Sequence, residues 1–268
     1  MLRFRKFQAT GNDFIVLEGV HPGSLSEEER RRLCDRHFGV GADGIVQVGP
    51  TIGRVSASDL GIASEIRQFF YWNADGRPGS FCGNGARVAT WVAYQEWPFT
   101  EALLIASDGE HRVEVRRGWP PLIAVELFVR KPPAQIGEGV WFVDTGSPHV
   151  LYEVPSVAEW ETFPLTDWAP KAWRWCTDLD PGGVNVSVFA QGDGRWHLRT
   201  YERGVEAETL SCGTACVALA ALLEKERRDT FLISITTRGG LLQVEHKTGT
   251  FWLVGPVEEV FRGEWFRA

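Results

Sequence analysis

Asn73-Ala74-Asp75-Gly76-Arg77-Pro78-Gly79-Ser80-Phe81-Cys82-Gly83-Asn84-Gly85-Ala86-Arg87 runs from strand-like residues through a polar turn to Cys-Gly, and then into an alanine-rich helix. A distant echo follows at Glu202-Arg203-Gly204-Val205-Glu206-Ala207-Glu208-Thr209-Leu210-Ser211-Cys212-Gly213-Thr214-Ala215. In both, a cysteine stands as the first residue of a helix, where free N–H groups and the positive end of the dipole favour thiolate over thiol. Two such cysteines, one in each half of the chain, point to two matched halves facing one site.

The flanking sequence repeats the same plan. Phe69–Trp72 reads as the strand that feeds the Asn73 turn, and the helix runs from Asn84 to Glu96, with Val88, Trp91, Val92 and Gln95 on one side. Upstream, Leu2–Phe7 and Phe14–Leu17 read as strands around the turn Ala9-Thr10-Gly11-Asn12-Asp13. Ser24-Leu25-Ser26-Glu27-Glu28-Glu29 opens a helix with a serine cap and an acidic first turn, expected to reach about His37, and Ile45–Val48 is a strand after the loop Phe38–Gly44. Gly39, Gly41 and Gly44 satisfy G-x-G-x-x-G, but a dinucleotide loop follows a strand and opens a helix, whereas the order here is helix, loop, strand. Residues 51–64 read as loop, with strands at Ala102–Ala106, His111–Arg116 and Leu122–Val129. Pro120-Pro121 and Lys131-Pro132-Pro133 place a domain boundary near 117.

The second half then follows the first. Val140–Val143 is a strand, Asp144-Thr145-Gly146-Ser147-Pro148-His149 its turn, and Val150–Tyr152 the next strand, as at Gly11–Val16. Residues 156–178 are tryptophan-rich and read as irregular. Asp180–Gly183 leads into Val184–Val188, a Gly-Asp-Gly hairpin at 192–194 into the strand Trp196–Tyr201, and the second Cys-Gly turn into a helix from about Thr214 to Arg227. Strands at Phe231–Thr236, Leu241–Glu245, Thr250–Val254 and Phe261–Phe266 close the chain.

With 268 residues, 44% of them apolar, the chain has ample material for a globular core, in one large domain or two. A net charge of −7 argues against nucleic acid, which needs a basic face. No apolar run approaches a membrane span, no signal peptide is visible, and five scattered cysteines suit a reduced cytoplasmic protein.

Two thiols, one from each half, suit a reaction that needs an acid and a base on opposite faces of one carbon. One rests as thiolate and the other as thiol, because two facing anions in a dry cleft repel. The thiolate takes a proton from carbon, the opposite thiol delivers one, and the stereocentre inverts. The carbanion is the hard step. Its charge spreads onto the neighbouring carboxylate, where N–H groups of Gly83, Asn84, Gly213 and Thr214 would supply fixed donors.

Gly11-Asn12-Asp13-Phe14, Gly41-Ala42-Asp43-Gly44, Asn73-Ala74-Asp75-Gly76, Cys82–Arg87, Pro148-His149, Glu202-Arg203-Gly204, Glu208–Thr214 and Gly255-Pro256 together closely resemble the diaminopimelate epimerases, in family order over nearly the whole chain. The resemblance implies an isomerase that interconverts LL- and meso-diaminopimelate without a cofactor or metal, on the route to lysine and peptidoglycan. It implies an α/β (α+β) fold of two pseudo-symmetric halves, each a mixed sheet curled around a central helix, with the active site in the cleft between them. The halves would be residues 1–117 with 257–268, and 118–256. Carried over by position, Cys82 and Cys212 are the acid/base thiols, and His149 and Glu202 help set protonation and orientation. Asn12, Asn73, Asn185, Glu202 and Arg203 line the pocket for the amino and carboxylate groups of a diamino dicarboxylate substrate. A homodimer is left open.

Three positions depart from the family pattern: Ser147 for a usual asparagine, a turn Arg203–Thr209 one residue longer, and Ala215 for a usual glycine. Other readings compete. A proline or hydroxyproline racemase takes a substrate with one charged end, which gives Asn73, Asn185 and Arg203 no purpose. A redox thiol protein would want its cysteines close in sequence, and a binding module gives no reason for two matched helix-cap thiols. Zinc wants close ligand pairs, which Cys212 and Cys216 do not make. Cys34 and Cys176 read as small buried hydrophobes.

Overall fold

The computed structural model describes residues 1–55, 64–79, 81–228 and 231–266. The chain forms two compact units, Met1–Val125 with Gly255–Ala268, and Glu126–Val254.

In the first unit the sheet order begins with Glu258–Trp265, antiparallel to Leu2–Ala9, which is antiparallel to Asn12–Glu18. Asn12–Glu18 then runs parallel to Gly44–Val55 through Phe14 opposite Gly44. Gly44–Val55 pairs antiparallel with Ser64–Asn73, which is parallel to Glu101–Ala106, and antiparallel steps to Gly109–Arg116 and Leu122–Leu127 follow. The second unit has the same order. Lys131–Gly137, Val140–Asp144 and Pro148–Glu153 are antiparallel neighbours, followed by a parallel step to Asn185–Gly192 and a hairpin to Arg195–Glu202. A second parallel step leads to Leu232–Thr237, then Gly240–Lys247 and Thr250–Pro256. The sequence repeat is thus a repeat of topology, with the Cys-Gly helix always inserted before the second parallel step.

Each sheet is wrapped around that helix. Gly83–Glu96 packs on Leu2–Ala9, Asn12–Glu18, Gly44–Val55, Ser64–Asn73 and Gly109–Arg116. It buries every residue from Gly83 to Thr90, together with Val92 and Ala93. Val88, Trp91, Val92 and Gln95 were expected to mark one side of the helix; Gln95 is exposed while Val88 and Val92 are buried, and the buried surface goes nearly all round, as suits a helix enclosed by a sheet. The small residues Gly83, Gly85, Ala86, Ala89 and Ala93 permit this close approach. A Cβ at Gly85 would lie 2.8 Å from Val46 Cγ1. Gly213–Lys225 in the second unit likewise buries Gly213 and Ala215–Leu223.

Three local readings are corrected. Residues 51–55 continue the strand Gly44–Val55 and Ser64 begins the next; residues 56–63 of the expected loop lie outside the described residues, as does Ser80. Register shifts on either side of Thr51 break the alternation that would have revealed the strand. Residues 156–178 are not irregular throughout: Val157–Thr162 is a helix capped by Ser156, and Leu165–Ala172 is another, with Pro170 inside it. The first helix is Glu27–Cys34 rather than reaching His37, with Ser26 as its serine cap and Glu29 completing a capping box. It ends early because Asp35 turns extended and its carboxylate accepts from the Phe38 and His37 amides.

Candidate active site

In the first unit Cys82 is extended (φ −143°) and caps the helix one position before its first residue, Gly83. Its Sγ accepts from Gly85 N at 3.5 Å. A left-handed pair, Thr10 and Gly11, delivers Asn12 to this spot at the start of its strand. Asn12 Oδ1 lies 3.9 Å from Cys82 Sγ and accepts from Asn84 Nδ2 at 3.3 Å. Asn84 Oδ1 accepts from Arg87 Nη2 at 2.8 Å, and Arg87, fully buried, also donates to Thr10 Oγ1 at 2.9 Å. Asn12, Cys82 and Asn84 are therefore brought together. Asn73 is held differently. Its backbone N and Nδ2 both donate to Arg77 O, at 2.9 and 3.4 Å, which fixes the turn before the Cys-Gly step. Gly76 sits in that turn at φ +86°, where a Cβ would strike Glu27 O at 2.2 Å.

In the second unit Cys212 caps Gly213–Lys225 in the equivalent place, and Sγ lies 3.4 Å from Thr214 Oγ1. That hydroxyl also meets His149 Nε2 at 3.0 Å. His149 is fully buried, and desolvation, followed by the Arg203 charge, brings its pKa down to about 3, so the ring is neutral. His149 Nδ1 is buried with no hydrogen-bond partner. A bare ring nitrogen is easier to bury than an orphaned N–H, so we assign the proton to Nε2, which donates to Thr214; the Thr214 hydroxyl then donates to sulfur.

Burial, then the nearby charge of Glu202, pushes the Cys212 thiol well above its ordinary pKa, against smaller opposite effects of the Thr214 hydroxyl and Ala215 amide. At Cys212 burial outweighs the pull of the helix terminus, so of the expected thiolate and thiol this sulfur has the character of the thiol. A dipole end contributes about 0.3–1 kcal/mol, up to ~2 in partly buried geometry, while desolvation in a buried site moves a group by several pKa units. Cys212 rests as thiol.

Asn185 Nδ2 donates to Ser147 Oγ at 2.7 Å and Pro148 O at 3.0 Å, and its Oδ1 accepts from Arg203 N at 2.9 Å. Ser147, with its shorter reach, still serves as an acceptor. Arg203 Nη1 donates to Asp180 Oδ1 at 2.9 Å and Gly183 O at 3.1 Å, leaving the guanidinium about a third exposed. Glu202 accepts from Thr209 Oγ1. The longer turn is ordered by its own extra bonds. Glu206, at φ +57°, accepts from Arg174 Nε at 2.9 Å and Gly204 N at 2.9 Å, and its carbonyl accepts from Tyr201 OH at 2.7 Å.

Sequence reading missed the groups behind these side chains, Asp43 behind Asn12 and Arg87 behind Asn84. Both stood in motifs already singled out, Gly41-Ala42-Asp43-Gly44 and Cys82–Arg87. Among the described residues no cluster of three or more His, Cys, Asp or Glu is arranged to hold a metal, and no helix is long and apolar enough to cross a membrane.

A family model described as diaminopimelate epimerase matches residues 4–117. The chain is 33% identical to a diaminopimelate epimerase of Archaeoglobus fulgidus, over 98% of this chain and 95% of that protein. Among solved structures, a phenazine biosynthesis protein of the PhzF family from Enterococcus faecalis superposes with a TM-score of 0.71 at 17% identity, covering 100% of both chains. A probable proline racemase from Agrobacterium radiobacter K84 gives a TM-score of 0.67 at 15% identity, over 98% of this chain and 92% of that one. At such identities the structural likeness is one of fold.

Proposed function

The chain belongs to the diaminopimelate epimerase family, and from that premise we propose that Cys82 and Cys212 pass a proton through the α-carbon of diaminopimelate, from opposite faces, to interconvert its LL and meso forms. It is an isomerase acting on a small molecule. One observation carries the two-thiol reading: each unit sets a cysteine at the N-cap of the helix its sheet encloses, at the same point of the same topology.

Cys212 is the proton donor in one direction, since burial and Glu202 hold it as thiol. Cys82 as thiolate breaks the α-C–H bond and becomes a thiol. The Cys212 S–H bond breaks as the new C–H bond forms on the other face, leaving Cys212 as thiolate. That anion then receives the Thr214 hydroxyl hydrogen bond, which His149 Nε2 supports from behind. Glu202 opposes it until the substrate ammonium arrives and offsets its charge, so binding itself lowers the cost of ionising Cys212. Charge developing on the α-carboxylate is met by amides of Gly83, Asn84, Gly213 and Thr214 at the two helix termini. Asn12, Asn73, Asn185 and Arg203 hold the remaining amino and carboxylate groups, Arg203 through its exposed fork. No cofactor enters this scheme, and the reading places the enzyme in the cytoplasm, on the route to lysine and peptidoglycan.

The test is incubation with LL-diaminopimelate in D₂O followed by proton NMR. The α-proton signal falls with wild type and persists with Cys82→Ala or Cys212→Ala; full activity in either variant refutes the assignment. A panel including proline separates this reading from a racemase of the same fold.

A further inference from the structure

We propose that Asp43 is a positioning residue for the Cys82 thiol, acting by fixing the Asn12 amide with its oxygen towards the sulfur. The inference rests on Cys82 being one of the acid/base thiols. Asp43 Oδ2 accepts from Asn12 Nδ2 at 2.6 Å. An ionised carboxylate can only accept, so the end of the amide that meets it is the NH₂ group. The oxygen is thereby aimed the other way, at Cys82 Sγ (3.9 Å) and Asn84 Nδ2 (3.3 Å). A flipped amide would set two NH₂ groups, those of Asn12 and Asn84, against each other and present a donor to the sulfur.

Asp43 is itself held from several directions. Its backbone N donates to Asp13 O and Oδ1, at 3.0 and 2.9 Å, and Asp13 N donates to Asp43 Oδ2 at 3.2 Å. Arg36 Nη2 bridges Asp43 Oδ1 at 2.7 Å and Asp13 Oδ1 at 2.8 Å, and Lys6 Nζ pairs with Asp13 at 2.7 Å and donates to Gly41 O. Two carboxylates and two cations make a neutral set. Burial alone would raise Asp13, but the Arg36 and Lys6 hydrogen bonds and charges outweigh it and bring its pKa down to about 2. The arrangement exists because Asn12–Glu18 and Gly44–Val55 run parallel from Phe14 opposite Gly44, which sets Asp13 beside Asp43. The motif Gly41-Ala42-Asp43-Gly44, which resembles a nucleotide loop only in its glycines, thus has a purpose in the thiol site.

The orientation matters because the two ends of the amide favour opposite states of Cys82. Oxygen facing sulfur accepts from the thiol and favours the protonated form; NH₂ facing sulfur donates to the thiolate and favours ionisation. Asn12 stands between Asp43 and the sulfur, so the orienting effect of Asp43 passes through it, whereas loss of the Asp43 charge acts through space and would persist in Asn12→Ala.

The experiment alkylates the full-length protein with iodoacetamide across a pH series and follows the Cys82 peptide by mass spectrometry, alongside steady-state epimerisation of LL-diaminopimelate. Asp43→Asn frees Asn12 to turn. Its Cys82 alkylation profile moves to lower pH, and kcat/KM falls about 10- to 100-fold, the equivalent of one charge-assisted hydrogen bond, because the thiolate becomes a weaker base and Asn12 is displaced from the substrate. Asn12→Ala also moves the profile, and adding Asp43→Asn to Asn12→Ala moves it by less than Asp43→Asn moves wild type. A D43N profile that superimposes on wild type overturns the inference, as do additive effects in the double variant. If D43N does not fold, N12A, which leaves the ionic set intact, decides alone: an unmoved Cys82 profile overturns the inference. Failure of the two-thiol reading looks different, because Cys82→Ala would then epimerise like wild type whatever the alkylation profiles show.

Discussion

Replacing Thr214 by valine tests the buried chain from His149 to Cys212. The hydroxyl meets both His149 Nε2, at 3.0 Å, and Cys212 Sγ, at 3.4 Å. Valine keeps the branched shape and removes both contacts. A hydrogen bond to a charged group contributes about 1.5–3 kcal/mol, so without it the Cys212 thiol is pushed further up from its already raised pKa. Below the pKa the thiolate fraction falls tenfold for about every 1.4 kcal/mol, so alkylation of Cys212 at fixed pH slows by about 10- to 100-fold. Epimerisation slows to a similar degree. The variant also leaves a buried Nε2–H unpaired on a ring whose Nδ1 has no partner, which costs about 1–3 kcal/mol of stability by urea unfolding. The assay follows the Cys212 peptide after timed iodoacetamide exposure of folded protein. Unchanged alkylation kinetics in a folded T214V protein would refute the relay, whatever happened to stability.

His149 binds a proton in the unfolded chain at its ordinary pKa of 6.5 but not in the folded one until about 3. Stability is therefore full above pH 6.5 and declines as pH falls towards 3, by at most one proton, or about 1.4 kcal/mol per pH unit. His149→Gln flattens that part of the urea-midpoint profile, and an identical slope would remove His149 as its source. Glu206→Gln leaves the buried Arg174 guanidinium without its ion pair; because Glu206 is 38% exposed, the loss is only about 1–2 kcal/mol, seen as a lower denaturation midpoint. No change would mean that the longer turn does not depend on that pair. Gly85→Ala drives a methyl to 2.8 Å from Val46 Cγ1 and pushes Cys82 out of place, so kcat falls. Gly85→Ala combined with Val46→Ala recovers part of the rate, and failure to recover would locate the damage elsewhere.

What the sequence made legible was local. A polar turn, Cys-Gly and a run of small residues specify a helix N-terminus within a dozen positions, so both capping cysteines could be read directly. The contact between Asn12 and Asp43 depends instead on a parallel register between strands separated by a helix and a loop, which no local pattern records. Residues 51–55 escaped because register shifts on either side of Thr51 break the two-residue alternation. The helices at 157–162 and 165–172 escaped because tryptophans and Pro164 and Pro170 obscure a helical period, although Ser156 with Glu159 supplies a cap signal. Which of the two cysteines is the thiol was not legible, for a physical reason: the helix dipole is visible in sequence at both, whereas the burial that outweighs it at Cys212 exists only once the sheet has closed around the helix.

The central claim is that different sulfurs serve the two faces of one carbon, and the isotope content of the first product formed in D₂O measures this most directly. Product sampled at a few per cent conversion of LL-diaminopimelate should carry solvent deuterium at the inverted carbon, while recovered substrate keeps its protium. Early product that retains the substrate's own hydrogen would mean a single group working on both faces, and would contradict the account.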